Sequence, residues 1–406
     1  MATDYTAQFD WKLLIILVLL LIFGELALYS ASVQKVGDKV LLTDHYVKQL
    51  IWIVLGGGVF ILILYMPDII IELLVVPYNI LIFLALIAVL FLPAIKGVHR
   101  WISFGSVNIQ PSEFAKLGVI LLLAKIISKQ YLPSGKIVLY TLLVIIPPAF
   151  LVLIQPDLGS ALVFFAVAFP MMYFAGASFF TLFVIITPLI SLVVSFNIIA
   201  WILFDMFLLV TLVLKRISFL TSGIILIGNF FISLITPFLW WGLHDYQRNR
   251  ILAFINPKFD VLGSGYQIIQ SKIAIGSGGI FGKGLLQGTQ KNLNFLPEKH
   301  TDFIFSVIGE ELGFFGCLIL LLLFLALLWR IAKIIRKIRI KRRKLVLVGI
   351  FSLFVFQIVV NIGMNIGIIP VVGIPLPFIS YGGSSLLVNM ACMAIVFKYA
   401  RERTFV

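Results

Sequence analysis

Long apolar runs constrain the fold of this chain more than any other feature of its sequence. Runs of about 18 or more apolar residues recur along it, each long enough to cross roughly 30 Å of hydrocarbon as an α-helix. Apolar types make up 62% of the 406 residues and charged types only 12%, with a mean hydropathy of +1.15. We therefore predict an all-α fold, a polytopic helical bundle embedded in a membrane, and exclude a soluble domain.

Twelve membrane spans are predicted from these runs. The first is followed by no small-residue cleavage site, so we interpret it as a retained span rather than a signal peptide. Cys317 and Cys392 fall inside predicted spans, where we expect packing residues rather than a disulfide or a metal pair. The predicted spans are 11–31, 48–65, 71–93, 112–128, 137–154, 159–175, 178–196, 198–214, 222–241, 303–329, 345–365 and 381–398.

Basic residues predict the orientation of the spans. The stretch 330–344 carries nine Lys or Arg and no acid, and basic clusters at 125–136 and 398–403 fall on the same side when the spans alternate. The positive-inside rule places this side and both termini in the cytoplasm. The net charge of +14 then reflects orientation and contact with anionic membrane lipids rather than binding of nucleic acid.

A polar, glycine-rich segment of 61 residues, 242–302, interrupts the apolar sequence. Loops this long are usually functional or disordered, and the aromatic and apolar residues interleaved here argue against disorder. Span counting places the segment on the outer side, together with all four histidines. We expect the chemistry of the protein to lie in or beside this large extracytoplasmic loop.

Within this loop, GSGGIFGKG at 276–284 resembles a phosphate-binding P-loop but fails its pattern. The motif requires glycine where Ser277 stands, and Ser or Thr where Gly284 stands. We therefore expect its glycines to permit tight turns or a close backbone approach to a lipid headgroup.

The acids of the loop each have two interpretations. Asp260, in NPKFDVLGSGY, is either a turn-capping residue or a catalytic carboxylate. Glu298 and Asp302 flank His300, and we expect Asp302 above all to cap the helix that follows. Local sequence alone leaves the role of Asp260 open.

Three charges lie within predicted spans or at their edges. Glu113 and Lys116 are three residues apart, so they share a helical face and can pair, while Asp157 lies between two apolar runs. Intramembrane charges are expensive and usually face a cavity or one another. They either fix helix packing or form a polar floor beneath a substrate groove. Arg100 and Trp101 add a cation and an amphipathic ring at the outer interface.

Five segments of the chain, in order and in spacing, resemble the SEDS family of RodA and FtsW, the cell-wall glycan polymerases. Together they span most of the chain, and LQGTQ at 286–290 is more similar to RodA, the elongation branch, than to FtsW, the division branch. The segments are HRWISFGSVNIQPSEFAKL (99–117), QPDLGSALV (155–163), DVLGSGYQIIQSKIAIGSGGIFGKGLLQGTQ (260–290), FLPEKHTDFIFSVIGEELG (295–313) and NIGMNIGIIPVVGIPLPFISYGGSS (361–385).

The resemblance implies a peptidoglycan glycosyltransferase that polymerises lipid II into glycan strands at the outer surface of the bacterial cytoplasmic membrane, during elongation and rod-shape maintenance. It implies a class B penicillin-binding protein, a transpeptidase, as a partner, alongside other proteins of the elongation complex. It also maps the family's essential aspartate onto Asp260, and its polar cavity residues onto Glu113, Lys116 and Asp157.

An apolar hairpin at 178–214 departs from the family pattern. Family members usually have ten spans, so we predict a ten-span core plus this extra transmembrane hairpin, all within a single domain of residues 1–406. The only acid of the hairpin is Asp205, and we expect the hairpin to pack at the periphery, away from the substrate cavity.

The reaction we expect is an inverting displacement at a sugar that carries a lipid diphosphate. It needs one base for the acceptor hydroxyl, assigned to Asp260, and cationic groups for the leaving diphosphate. A divalent cation such as Mg²⁺ or Mn²⁺ can share that task, although the sequence shows no metal-ligand spacing. The expected substrate-binding residues are Arg100, Trp101, Lys272, Lys299 and His300.

Three alternatives stay open. One is a division polymerase of the FtsW type, and another is a scaffold for wall-synthesis enzymes. A lipid II flippase is the third, but a carrier is expected to bind its cargo near the midplane, whereas polar residues here concentrate after residue 240.

Overall fold

The computed structural model describes residues 9–36, 39–94, 97–105, 107–129, 132–243, 245–256, 264–292 and 298–401. The helices are α1 Trp11–Ser32, α2 His45–Tyr65, α3 Asp68–Val89, α4 Pro111–Ile127, α5 Ser134–Ile154, α6 Leu158–Ala175, α7 Phe179–Val194, α8 Ile198–Leu214, α9 Phe219–Gly242, α10 Asp245–Ile255, α11 Ser264–Gly278, α12 Thr289–Asn292, α13 Ile304–Lys337, α14 Lys341–Asn365 and α15 Gly383–Arg401. Two antiparallel hairpins pair β1 (Val33–Val36) with β2 (Lys39–Leu42) and β3 (Ile102–Phe104) with β4 (Val107–Ile109).

Most of these helices have the length and composition of membrane spans. Among the described residues, nine helices are long and apolar enough to cross a membrane, namely α1, α2, α3, α5, α6, α9, α13, α14 and α15. The apolar helices α7 and α8 are shorter, and α4 carries an ion pair in its first turns. Each of the twelve predicted spans coincides with one of these helices, which confirms the polytopic all-α bundle.

Helices α14 and α15 form the centre of the bundle. In their most apolar stretches 72% and 89% of the residues are buried, against 11% in α3. Helix α15 packs against α2, and α14 packs against α4 and α6. Polar side chains on these central helices are therefore enclosed by protein rather than by lipid, which is the environment that intramembrane polar groups require.

Ion pairs mark one end of the bundle. Arg343, near the start of α14, donates a hydrogen bond of 2.6 Å to Asp68 at the start of α3. Lys398, near the end of α15, lies 3.1 Å from the same carboxylate. Arg330 of α13 pairs with Asp10, whose side chain caps α1. Basic residues from three helices thus meet acids at a common end, as span counting predicted.

The basic stretch 330–344 at this end is mostly helical. Helix α13 continues to Lys337 and α14 begins at Lys341, so only three residues connect them. The predicted spans ended at 329 and began at 345, because charged side chains lower the hydropathy of a helix end without ending the helix.

Helix α2 joins this end to the opposite one. The ring of His45, its first residue, lies 4.5 Å from the ring of His300, between centroids. Met66, just past its last residue, accepts a hydrogen bond from Lys398. The 21 residues of α2 span about 31 Å, so the 298–302 segment and the basic cluster lie about one hydrocarbon thickness apart.

Cysteines placed on either side of the bundle test the orientation. Lys337 and Gln287 are both exposed, and we expect an impermeant thiol reagent to label Gln287→Cys in intact cells but Lys337→Cys only after permeabilisation. The control is the parent chain, in which Cys317 is half-buried and Cys392 buried. Labelling of both new cysteines from outside contradicts the orientation.

The predicted extra hairpin, α7 and α8, packs with α9 into a three-helix unit that α7 joins to α6. Its seam is polar and buried: Ser191 donates to Asn229 Oδ1 at 2.8 Å, and Asn229 Nδ2 donates to Thr187 at 3.1 Å. Amides and hydroxyls commonly hold membrane helices together in this way. The hairpin thus packs at the periphery of the bundle, as predicted, and its polar seam joins it to α9.

Asp205 lies on the inner face of this unit. It shares one face of α8 with Trp201, Leu208 and Leu212; both leucines are fully buried, and Trp201 contacts Phe230 of α9. We expect Asp205→Ala to leave glycan polymerisation within about twofold of the parent, because the side chain faces α9. Asp157→Ala is the matched control, expected to lose activity, and an equal loss in both variants contradicts this assignment.

Candidate active site

Glu113 and Lys116 form an enclosed ion pair in the first turns of α4. Lys116 Nζ lies 2.6 Å from Glu113 Oε1, and the two residues are 2% and 4% exposed, respectively. The predicted pairing is therefore present. Two charges removed from water persist as ions only because each compensates the other, so the pair is costly to break from either side.

Asp157 is a helix cap as well as a buried carboxylate. Its Oδ1 accepts from Ser160 N at 3.1 Å at the start of α6, and its Oδ2 accepts from Gln110 Nε2 at 3.0 Å. Gln110 N in turn donates to Ser384 Oγ at 3.0 Å. Gln110 thus joins the N-terminal ends of α4, α6 and α15, close to the Glu113 pair on its own helix.

Arg100 anchors the segment before β3 to the turn between α5 and α6. Its Nε donates to the carbonyl of Gln155 at 2.9 Å, and its Nη2 donates to the carbonyl of Pro156. These carbonyls follow the last turn of α5, where a cation is favoured by the helix dipole. Arg100 and the neighbouring Trp101 are both half-buried, and phosphate binding by Arg100 stays a prediction.

His300 lies in an aromatic group with His45 and Tyr381. Burial, followed by the nearby His45 and the charge of Lys299, lowers the pKa of His300 to about 3. His300 is therefore neutral at pH 7 and offers no positive charge to a diphosphate. Its main chain is fixed, because Tyr381 N donates to the His300 carbonyl at 2.8 Å.

Asp302 does not cap α13, contrary to the sequence-based expectation. The N-cap is Phe303 and no side chain bonds to the first turn. The main-chain carbonyl of Asp302 instead accepts from Asn361 at 3.1 Å and Asn365 at 2.9 Å, two amides one turn apart on α14. These bonds fix the entry of α13 at the centre of the bundle.

The side chain of Asp302 lies where charges from several segments converge. Burial, together with Glu298 and Asp157, raises its pKa to about 6, while Arg250 of α10 and Arg100 oppose that rise. A carboxyl with this pKa changes charge near neutral pH. Asp302 and Arg250 therefore join the candidate site, and local sequence patterns gave no sign of either role.

Lys272 and Lys299 differ in their access to a ligand. The side chain of Lys272 is exposed, and its methylenes cross Gly367, where a Cβ would overlap them. Lys299 is 3% exposed. Of the two, Lys272 therefore has the exposure that a phosphate-binding cation needs.

Asp260 lies outside the described residues, so its predicted role as base stays a prediction. Within the described part of the chain, no group of three His, Cys, Asp or Glu side chains is placed to hold a metal ion.

The glycine-rich segment 276–284 does not form a phosphate cradle. Its main chain is hydrogen-bonded to α13: Lys283 N donates to the carbonyl of Glu310, and Gly284 N to that of Glu311, both at 3.0 Å. The expected close backbone approach is present, but the partner is a helix rather than a headgroup. Sequence patterns were not used to predict roles for Gln110, Asn361 or Glu310. The amides of Asn361 and Asn365, four residues apart in an apolar span, already indicate a buried polar contact.

Sequence comparison identifies the family. The profile of the FtsW/RodA/SpoVE family, described as a cell cycle protein, matches residues 10–203 and 197–404. The chain belongs to this family. This confirms the SEDS resemblance. The two matches overlap at the start of α8, within the hairpin predicted to depart from the family pattern.

Curated relatives match the chain over nearly its whole length. The peptidoglycan glycosyltransferase MrdB of Escherichia coli is 37% identical over 397 residues, covering 97% of this chain and 94% of MrdB. The peptidoglycan glycosyltransferase RodA of Treponema pallidum is 34% identical, covering 97% of each chain. A probable peptidoglycan glycosyltransferase FtsW of Trichlorobacter lovleyi is 33% identical, covering 97% and 93%. The family member described here is RodA-like.

Solved structures share the fold. A chain from the study "Structural coordination of polymerization and crosslinking by a peptidoglycan synthase complex" is 30% identical, with a TM-score of 0.72 over 97% of this chain and 98% of that one. The rod shape determining protein RodA of Thermus thermophilus is 26% identical, with a TM-score of 0.64 over 97% of each chain. The bundle is thus the fold of this family.

Proposed function

We propose that this protein polymerises lipid II into peptidoglycan glycan strands during cell elongation, as a multi-pass membrane glycosyltransferase of the RodA type. The observation that carries the proposal is the enclosed polar cluster at one end of the bundle, in which Gln110 links Asp157 to the helix of the Glu113–Lys116 pair. Its relatives over nearly the full length are peptidoglycan glycosyltransferases by name.

The proposed reaction is a single inverting displacement. The hydroxyl oxygen of the acceptor sugar attacks C1 of the donor sugar, and the bond from C1 to the diphosphate oxygen breaks. The hydroxyl proton passes to the Asp260 carboxylate, and the diphosphate leaves with the bonding electron pair. One carboxylate is enough, since a diphosphate leaves without being protonated, unlike the sugar oxygen in glycoside hydrolysis.

The leaving diphosphate needs positive charge. Lys272 is proposed to supply this charge because its side chain is exposed, and Arg250 because its charge lies near Asp302. Arg100 contributes by holding the turn that precedes Asp157. A divalent cation such as Mg²⁺ or Mn²⁺ is a further proposal, for which the described residues supply no complete ligand set.

The prenyl chain of the substrate is proposed to enter the cleft between α3, α4 and α5. This cleft has a volume of about 310 Å³, and its lining is apolar apart from Asn79. Ala115 and Val119 line it from α4, on either side of Lys116 in the sequence. The cleft would hold part of the chain in hydrocarbon while the sugar lies at the polar end.

A class B penicillin-binding protein is the proposed partner. The support is the likeness to a chain from a study of polymerisation and crosslinking by a peptidoglycan synthase complex. Both termini and the basic cluster are assigned to the cytoplasm, and the active site to the outer face, on the positive-inside rule.

Reconstitution separates polymerisation from transport. Purified protein in vesicles, given fluorescent lipid II and no other transferase, is expected to give strands that migrate as a ladder on a gel. A flippase would move the lipid between leaflets without lengthening it, and a scaffold would do neither. Either outcome, with correctly folded protein, contradicts the proposal.

A further inference from the structure

Helix α13 is interrupted near its outer end. Gly313 has φ 62° and ψ −158°, which no helical residue adopts, and the chain resumes as helix immediately afterwards. A break of this kind leaves carbonyls before it and amides after it without their helical partners. Buried groups left in this state are costly, so the partners must come from elsewhere.

The glycine-rich segment after α11 supplies these partners. Beside the bonds to the carbonyls of Glu310 and Glu311, the carbonyl of Gly279 accepts from Phe314 N at 2.9 Å, and that of Ile280 accepts from Phe315 N at 3.2 Å. Four main-chain hydrogen bonds therefore splice the segment 279–284 into the break. We call this arrangement the α13 splice.

Glycine is required on both sides of the α13 splice. Gly282 has φ +79°, and a Cβ there would overlap the carbonyl of Glu311. A Cβ on Gly313 would overlap Gly282 N in the same way. Only residues without side chains allow the two backbones to come this close.

Glu310 holds the next part of the chain to the α13 splice. Its side chain is fully buried, and its Oε1 accepts from Lys283 Nζ at 2.8 Å, Thr289 N at 2.8 Å, Thr289 Oγ1 at 2.9 Å and Gln290 N at 3.2 Å. A buried carboxylate is stable only with such charge-assisted bonds. The segment 283–290 is thus folded around one oxygen atom.

The α13 splice fixes α11 against the start of α13. Ser271 Oγ lies 2.5 Å from Ser306 Oγ, and Ile275 would meet a Cβ on Gly309, so the two helices run in the same direction. Their N-terminal ends therefore lead toward the candidate site, which Lys272 approaches from α11 and Asp302 from α13. The splice ties the C-terminal end of α11 to α13 at Gly313, nine residues after α13 begins at Ile304.

We propose that Glu310 is a positioning residue for glycan polymerisation. It holds 283–290 on α13, and through the α13 splice it sets how far α11 can slide along α13. Sliding moves Lys272 relative to Asp302, so a loosened splice misaligns Lys272 with the leaving diphosphate during the displacement, while the prenyl cleft between α3, α4 and α5 stays in place. This inference rests on the proposed function.

The test compares kcat and KM for lipid II in Glu310→Gln. The amide keeps the shape but loses the charge that strengthens the bonds from Lys283 and Thr289. We expect kcat to fall by about tenfold or more, with KM within about threefold. Lys283→Met should lower kcat in the same sense, Lys283→Arg should restore it, and the double variant should be no worse than Glu310→Gln alone.

Val348→Ala, a buried change on α14, is the matched control for lost thermal stability. The proposal is overturned if Glu310→Gln loses no more kcat than a control of equal melting temperature, or if only KM rises. It is also overturned if the losses of kcat in Glu310→Gln and Lys283→Met add up in the double variant. If Glu310→Gln does not fold, the comparison of Lys283→Met with Lys283→Arg decides in the same way. Parent protein that makes no polymer contradicts the proposed function instead.

Discussion

Asp260→Asn is expected to abolish polymerisation of lipid II by the purified protein. The amide keeps the shape of the side chain but cannot accept the proton of the acceptor hydroxyl, and a missing general base costs about 10² to 10⁴ in rate. Asp260→Ala should give the same result. The measurement is the initial rate of strand formation, with lipid II as the sole substrate.

Two controls separate this loss from misfolding. Membrane insertion, melting temperature and co-purification with the transpeptidase partner should match those of the parent chain. Asp205→Asn provides an acid-to-amide change on α8, where the side chain faces α9. A rate near that of the parent in purified Asp260→Asn would remove Asp260 from the role of base.

Removing one member of the Glu113–Lys116 pair is expected to have the second large effect. Each single change leaves an uncompensated charge among residues that are nearly fully buried, at a cost of about 3–5 kcal/mol of folding free energy. Glu113→Gln and Lys116→Met should therefore each lower the melting temperature clearly. The double variant, with apolar residues at both positions, should recover part of that loss.

Activity then separates the two roles of the pair. If the double variant regains stability but makes no polymer, the charges serve the substrate groove. If it regains both, the pair serves packing alone. Single variants that melt with the parent would contradict the pairing itself, despite the 2.6 Å contact between Lys116 Nζ and Glu113 Oε1.

The bundle could be predicted from sequence because a membrane simplifies the problem. The length of each apolar run predicts a span, and the basic residues indicate which span ends lie on the same side of the membrane. The spacing of Glu113 and Lys116 likewise predicted their contact, since residues three apart always share a helical face. These inferences need only local periodicity.

Long-range contacts were beyond local sequence reasoning. The glycines of 276–284 indicate that another backbone segment packs closely against them. No local pattern indicates that this segment is the broken helix α13 at Gly313. His300 was predicted as a cation, yet burial beside His45 makes it neutral. Asp302 follows the sequence pattern of a helix cap, while two asparagines about 60 residues later hold its carbonyl. Each outcome depends on which distant segment packs nearby.

The most direct test of the account is whether the purified protein alone lengthens lipid II. With lipid II as the only substrate, and no other glycosyltransferase present, gel separation should show a ladder of glycan strands from the parent chain and only unreacted lipid II from Asp260→Asn. Folded parent protein that yields no product longer than its substrate, or equal ladders from both proteins, would contradict it.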